Sequence, residues 1–261
     1  MKRLLGVLRK LTILLPAVLF LAIWQLFVQG APRRQFFFGS PYAIIRVAVE
    51  ELSAGKILED IAVTGLEIVL GLVAGSFLGT VLGLLLWTNS RVGHLARPYI
   101  TIAGSVPVFA LAPMLIIWFG TGLLSKVVMA AFSTCLVSVV QAYEGARSAS
   151  AEHIRLARVL GASRGQILRK IVVPSALTWV LAGFRLNIGF AVIGAFIGEF
   201  VSSERGLGHY ILRAGGLYDI PRVLFGLVLL AALALALTGA LNLAERWWFP
   251  WCRLSGNVRG K

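Results

Sequence analysis

The run with the most chemistry in its spelling is Gly161-Ala-Ser-Arg-Gly165, which matches the G-x-S-x-G pattern of a serine nucleophile elbow. That chemistry needs a strand before the serine, a helix after it, and His and carboxylate partners at the hydroxyl. Ser163 instead follows a helical pattern, and the nearest histidine, His153, belongs to that same pattern. A hydrolase is therefore set aside. Metal chemistry fares no better. His94, His153 and His209 are far apart in the chain, while Cys135 falls in an apolar run and Cys252 in the C-terminal tail. Neither a zinc spacing nor a disulfide framework is written there. The run G-x-x-x-x-G-K-[ST], which cradles nucleotide phosphates, does not occur. What remains are ionisable groups inside apolar runs: Glu67, Lys126, Arg185, Glu199 and Arg222.

Composition decides which elements carry these groups. Of 261 residues, 58% are hydrophobic and only 14% charged, and the mean hydropathy is +0.86. A soluble domain carries about a quarter of its residues as charges, so this chain is not one. The net charge of +14 could suggest nucleic acid, but the 25 Lys and Arg are dispersed between apolar runs, so no nucleic-acid partner is expected. Six apolar runs, at residues 11–28, 61–87, 98–119, 123–142, 178–201 and 222–244, approach or exceed the length that crosses a bilayer as a helix. The expected fold class is an all-α integral membrane protein with six transmembrane helices. The first run follows Lys2, Arg3, Arg9 and Lys10, as in a signal peptide. It is long for that, and residues 29–34 make a poor cleavage site, so it is expected to stay as an anchor. Lys126, Glu199 and Arg222 lie near run ends, where they could reach the interface.

The Lys and Arg residues give the orientation. On a six-span path one side collects Lys2, Arg3, Arg9, Lys10, Arg91, Arg97, six residues between Arg147 and Lys170, and four from Arg246 onward. The other side collects half as many. Both termini are therefore expected to be cytoplasmic. In the first outer loop, residues 41–52 could lie as an amphipathic helix on the surface, although a short lead into the second span is the plainer expectation.

The second span carries Gly71, Gly75, Gly79 and Gly83, four residues apart on one helix face. Such a ladder lets another backbone come close, which is how helices gain packing in lipid. The neighbour could be in the same chain or in a second copy. The third span contains Pro98, Pro107 and Pro113. Interior prolines kink helices, and broken helices in membranes sit beside protein or a water-filled cavity. Pro107 and Pro113, with Arg185, Asn187 and Glu199 on the fifth span, are the candidates for lining a solute path. Arg185 could attract an anion there, but an interfacial position or a packing salt bridge is the stronger expectation, and Glu67 is expected to be a packing contact.

Between the fourth and fifth spans lies a patterned loop, residues 144–173. Glu152 to Leu160 reads as a helix with apolar Ile154, Leu156, Ala157, Val159 and Leu160, and with Arg155 and Arg158 on another face. Gly161 follows where a left-handed cap would end it. Ser163 and Gln166 form a capping box for a second helix, whose apolar face is Ile167, Leu168, Ile171 and Val172. Pro174 is expected to close it. The spelling also suggests a DNA-binding helix-turn-helix, but thirty residues tethered at both ends to membrane spans leave no room for the third helix of that module. The pair is expected to be a docking element for a cytoplasmic partner.

This loop resembles the signature of the permeases of binding-protein-dependent ATP-binding-cassette importers, in which a Gly is followed ten residues later by an apolar residue and thirteen later by Pro. Gly161, Ile171 and Pro174 keep that spacing, and Ala157 matches the last Ala of the family's Glu-Ala-Ala triplet. Arg155 and Leu156 depart from it, and Glu152, one turn earlier, is the candidate to replace the missing Glu. Pro107 to Lys126 and Gly198-Glu-Phe-Val-Ser-Ser-Glu-Arg-Gly-Leu-Gly208 are similar to the nitrate/sulfonate/taurine branch.

The resemblance implies a MetI-like type I importer permease fold, with an N-terminal tail, first helix and outer loop over 1–60, a permease core over 61–250 and a tail at 251–261. It also implies a homodimer, two ATPase subunits that bind the ATP and Mg, and an extracytoplasmic solute-binding protein. The coupling residues would be Glu152, Arg155, Ala157, Arg158, Gly161, Ser163, Ile171 and Pro174. The solute would be a small anion such as a sulfonate or nitrate, or a vitamin or pyrimidine precursor. The chain itself would be no enzyme and hold no cofactor, and it would sit in the bacterial inner membrane among lipid. The rival, an ion-coupled secondary transporter, requires an internal repeat with paired broken helices, and no second copy of the Pro107 to Lys126 segment is found.

Overall fold

The computed structural model describes residues 2–248, with side chains omitted for residues 2–14, 90, 246 and 248; Cys252 and the expected tail at 251–261 lie outside the described residues. The described residues form helices and no strand. In order these are α1 (Lys2–Val28), α2 (Pro32–Phe38), α3 (Pro41–Ala54), α4 (Lys56–Thr88), α5 (Ser90–Ser105), α6 (Val108–Phe119), α7 (Leu123–Arg147), α8 (Ala151–Val159), α9 (Arg164–Ile167), α10 (Val173–Ser202), α11 (Leu207–Gly216) and α12 (Ile220–Trp248). Four stretches are long and apolar enough to cross a membrane: Lys56–Thr88, Leu123–Arg147, Arg164–Ser202 and Ile220–Glu245. The pair α5–α6, bent by 90°, makes a fifth if its two helices are counted as one span. The described apolar part of α1, Leu15–Val28, is shorter than a span, and the start of the expected first span, at 11–14, falls where side chains are not described.

The glycine ladder explains the centre of the bundle. A Cβ on Gly71 would lie 2.3 Å from Ala130 Cβ, on Gly75 2.2 Å from Ala131 O, on Gly79 2.3 Å from Cys135 O, and on Gly83 2.5 Å from Val139 O. The ladder therefore packs along α7 of the same chain, backbone against backbone. On the other side of α7, a Cβ on Gly194 of α10 would lie 2.6 Å from Ala130 Cα. Thus α7 is clasped between α4 and α10, with Ile68, Ala130, Ile188, Ala191 and Ala195 buried where they meet. Small residues on both faces permit the approach, since van der Waals contact replaces the hydrophobic effect as the source of attraction in lipid.

Three expectations change. Of the three prolines in the third span, only Pro107 breaks it: α5 and α6 meet at 90°, while Pro98 and Pro113 sit inside their helices. Gly104 and Ser105, both weak helix formers, immediately precede the break, and Val106 takes the extended conformation that the residue before a proline prefers (ψ 120°). Pro174 does not close the docking pair. Residues 168–172 form a π-helical turn in which Val173 N–H donates to Leu168 O, and the helix runs on unbroken from Arg164 to Ser202. Proline lacks an N–H and crowds the carbonyl four residues back; a wider turn just ahead of it absorbs that misfit. Finally, residues 41–52 are more than a short lead: they lie in a 14-residue helix, α3, that leaves Tyr42, Ile45, Val49 and Leu52 exposed and is anchored on its other face. Ser40 caps α3 by accepting from Ala43 N–H at 3.1 Å, and Gly55 ends it at φ +77°. Val47 packs with Ile57, Leu207, Ile211, Phe225 and Leu230, so α3 is pinned to α11 and α12.

Candidate functional site

The α8–α9 hairpin is built by local rules. Ser150 caps α8 by accepting from His153 N–H. At its other end Gly161 takes φ +79°, and two backbone bonds close the turn: Gly161 N–H to Arg158 O at 3.0 Å and Ala162 N–H to Ala157 O at 2.9 Å. This is the Schellman arrangement, in which a left-handed residue turns the chain back onto the last helical carbonyls. Ser163 and Gln166 then form the reciprocal capping box, with Ser163 N–H donating to Gln166 Oε1 at 2.8 Å and Gln166 N–H to Ser163 Oγ at 3.3 Å.

One side of the hairpin is held. Ile154, Ala157, Ala162 and Ile171 pack on a buried cluster of Ala146, Ala149, Ile167, Val172 and Ala176, together with Leu84 and Trp87 from the end of α4. The other side is open. Leu156, Val159 and Leu160 are 57%, 84% and 76% exposed, flanked by exposed Glu152, Arg155 and Arg158. An apolar tip on a polar helix, rigidly seated behind, is a surface suited to another protein.

A second constellation lies within the bundle and was only half visible in the sequence. Glu199, fully buried on α10, accepts from Thr64 Oγ1 of α4 at 2.5 Å and from Gly208 N–H of α11 at 2.6 Å. Thr64 Oγ1 in turn accepts from Leu207 N–H at 2.9 Å, and Asp60 accepts from Gly206 N–H at 2.7 Å. The amides of Gly206, Leu207 and Gly208 at the start of α11 are thus met by side chains. Carboxylates at a helix start also answer its dipole. The Gly206-Leu-Gly208 spelling follows from this: a Cβ on Gly206 would lie 2.2 Å from Glu199 Oε1, and one on Gly208 2.7 Å from Glu199 Cβ. Glu67 and Lys126 are buried beside Glu199, close enough for their charges to be felt, and Lys126 Nζ donates to Thr121 O. Lys126, near the start of α7, and Glu199, near the end of α10, are therefore turned into the bundle, where their polar ends find partners. Arg222 does sit at its helix start, bridging Glu51 at 2.9 Å, Asp219 at 2.5 Å and Glu50 at 3.6 Å.

The five path candidates are not brought together. Pro107 and Pro113 are exposed on the bent pair. Asn187 is buried and donates to Ser76 Oγ at 3.1 Å and Ser138 Oγ at 2.7 Å, tying α10 to α4 and α7. Glu199 serves the start of α11. Arg185 is exposed and pairs with Glu245 of α12 at 2.8 Å, the packing salt bridge expected as its stronger reading. Thr64, Asp60, Ser76 and Ser138 were missed. Their only signal is a polar residue on one face of an apolar helix, and nothing in the spacing names partners that lie 49 to 146 residues away.

Relatives give this architecture a context. Residues 68–249 match the family model described as binding-protein-dependent transport system inner membrane component. The formylaminopyrimidine transport permease protein ThiX of Halalkalibacterium halodurans is 30% identical over 236 residues, covering 90% of this chain and 93% of that protein. The taurine transport system permease protein TauC of Escherichia coli is 30% identical over 193 residues, covering 74% and 70%. Among solved structures, the MetNI methionine ABC transporter in an inward facing conformation aligns with a TM-score of 0.66 at 20% identity, over 75% of this chain and 97% of that one. A bacterial ABC transporter involved in alginate import aligns at 0.61 with 15% identity, over 95% and 99%. At such identities these two speak for the fold alone. The family match and the full-length relatives go further: the chain belongs to the binding-protein-dependent transport system inner membrane components, the permease subunits of ABC importers.

Proposed function

We propose that this permease is one half of a homodimeric solute path in the bacterial inner membrane. Its N-terminal helix supplies a sixth span, both termini are cytoplasmic, and the α8–α9 hairpin transmits the work of two ATPase subunits that bind ATP and Mg. The observation that carries this reading is the hairpin's two-sided character. Ala157, Gly161, Ser163 and Ile171 fix its shape and seat it on α4, α7 and α10, while Leu156, Val159 and Leu160 stand out from the protein. The continuous helix from Arg164 through the π-helical turn to Ser202 makes a lever. A push on the hairpin moves the whole of α10, and with it the Glu199 contacts that hold α11. The exposed bent pair, with Pro107 and Pro113, supplies the wall facing a second copy.

The solute is a small one delivered by a separate binding protein, of the kind for which the relatives are named: a sulfonate such as taurine, or a pyrimidine precursor. Arg185, being paired with Glu245, has a structural role rather than a solute-binding one in this reading.

Co-purification tests it. The tagged chain should recover its ATPase subunit, and Val159→Asp with Leu160→Asp should abolish that recovery while leaving the permease monodisperse, since neither side chain is packed. Solute uptake by the chain alone in vesicles, driven by an ion gradient, would support the secondary transporter instead.

A further inference from the structure

A concave cavity of about 1070 Å³ opens between the α4–α5 corner and the α8–α9 hairpin, beside the packing of Trp87, Ala162 and Ile167 that seats the hairpin. Its wall carries Trp87 at the end of α4, Arg91 on the first turn of α5, Arg158 on α8 and Arg164 and Gly165 on α9. Three arginines thus converge from three helices, and no carboxylate lines the cavity. Glu152, six residues before Arg158 on α8, is exposed and does not line the cavity, and Glu144 is already paired with Arg97 and Arg147. Among the described residues Arg91, Arg158 and Arg164 form no ion pair, so three like charges face one space without a counter-charge.

We infer that this cavity holds the headgroup of an anionic phospholipid. Charge complementarity asks for an anion, and planar guanidinium groups suit phosphate oxygens better than a point charge does. Depth selects the lipid among anions. Trp87 and Asn89 close a span of 33 residues, so the cavity sits at the end of an apolar helix, where indole rings mark the membrane–water boundary and phosphates lie. Basic pockets between spanning helices at the cytoplasmic face are the form such sites take. The inference rests on the proposed orientation, with the hairpin on the cytoplasmic side. A bound headgroup would tie the hairpin to the α4–α5 corner and so make the stiffness of the coupling element depend on the anionic lipid around it.

Native mass spectrometry of the full-length permease, exchanged into micelles doped with phosphatidylglycerol or phosphatidylcholine, reads this directly and without the ATPase. The wild-type chain should retain phosphatidylglycerol in preference to phosphatidylcholine, and inorganic phosphate should not displace it. Arg91→Gln with Arg164→Gln should lower that retention about tenfold or more, given the contribution of each basic residue near an anionic surface. Gly165→Leu should do the same by filling the space without removing charge, because nothing stands within 4 Å of a Cβ there. Arg46→Gln, on α3 at the opposite side, should not. Equal retention of the two lipids, or unchanged retention in both variants, would overturn the inference. So would displacement by inorganic phosphate, which would mark a soluble-anion site, or displacement by added ATPase subunit, which would mark an acidic protein contact. Loss of ATPase recovery on altering Val159 and Leu160 concerns the coupling proposal and leaves this measurement independent.

Discussion

Thr64 and Glu199 stand 135 residues apart in sequence and 2.5 Å apart in the fold, the hydroxyl of one donating to the buried carboxyl of the other. The same hydroxyl accepts from Leu207 N–H. One oxygen atom therefore joins α4, α10 and α11. Since α10 is continuous with the hairpin, this is the point at which a movement begun at one end of the lever would reach the opposite end.

Removing that oxygen should be costly out of proportion to its size. Thr64→Val keeps the volume but leaves Glu199 Oε1 and Leu207 N–H without the partner each now has, and an unsatisfied buried group costs about 1–3 kcal/mol. The expected result is a clear fall in unfolding temperature in detergent, with Thr64→Ser close to wild type. A Thr64→Val protein as stable as Thr64→Ser would show that the hydroxyl is dispensable.

The glycine ladder supports a graded test. A side chain at Gly75 would meet both Thr134 Oγ1 at 2.1 Å and the Ala131 backbone at 2.2 Å, and backbone cannot rotate away. Gly75→Leu should prevent recovery of monodisperse protein. Gly104→Ala, where nothing lies within 4 Å, should be recovered normally. Equal yields from the two would mean that α4 and α7 do not pack as described.

These two cases also show what the sequence could disclose. The ladder was legible because a spacing of four on a helix of 3.6 residues per turn fixes a face without any knowledge of the partner; that α7 was the partner required the fold. The hairpin was legible down to Gly161 and the Ser163–Gln166 box because caps are local rules. Pro174 misled because its usual effect is also local, and the π-helical turn that cancels it has no spelling of its own. Thr64 was invisible, one neutral polar residue whose meaning comes wholly from Glu199 and Leu207.

A pH dependence should arise at α11. Tyr210 Oη donates to Glu51 Oε1 at 3.3 Å, next to the Arg222 bridges. Burial first, and the Glu51 carboxylate second, push the phenol above its usual range. The folded state therefore holds that proton more tightly than the unfolded state does. The stabilisation is complete below the unfolded value near about 10 and is lost as pH rises beyond it. From about pH 10 upward the unfolding temperature should fall more steeply for the wild type than for Tyr210→Phe. Parallel curves would remove Tyr210 from the account.

The last test separates backbone from side chain at the hairpin. Gly161 has open space around it, so a substitution there meets no neighbour; what it meets is φ +79°. For a β-branched residue the left-handed region costs roughly 1–2 kcal/mol, enough in so short a turn to shift the angle between α8 and α9. Gly161→Val should therefore fold but recover less ATPase subunit and support less uptake, whereas Gly161→Asn, which tolerates that region, should retain most of both. Gly165→Ala, with no positive φ to satisfy, should match the wild type. If Gly161→Val assembled and transported normally, the cap would not set the hairpin's geometry, and coupling would have to depend on the exposed tip alone.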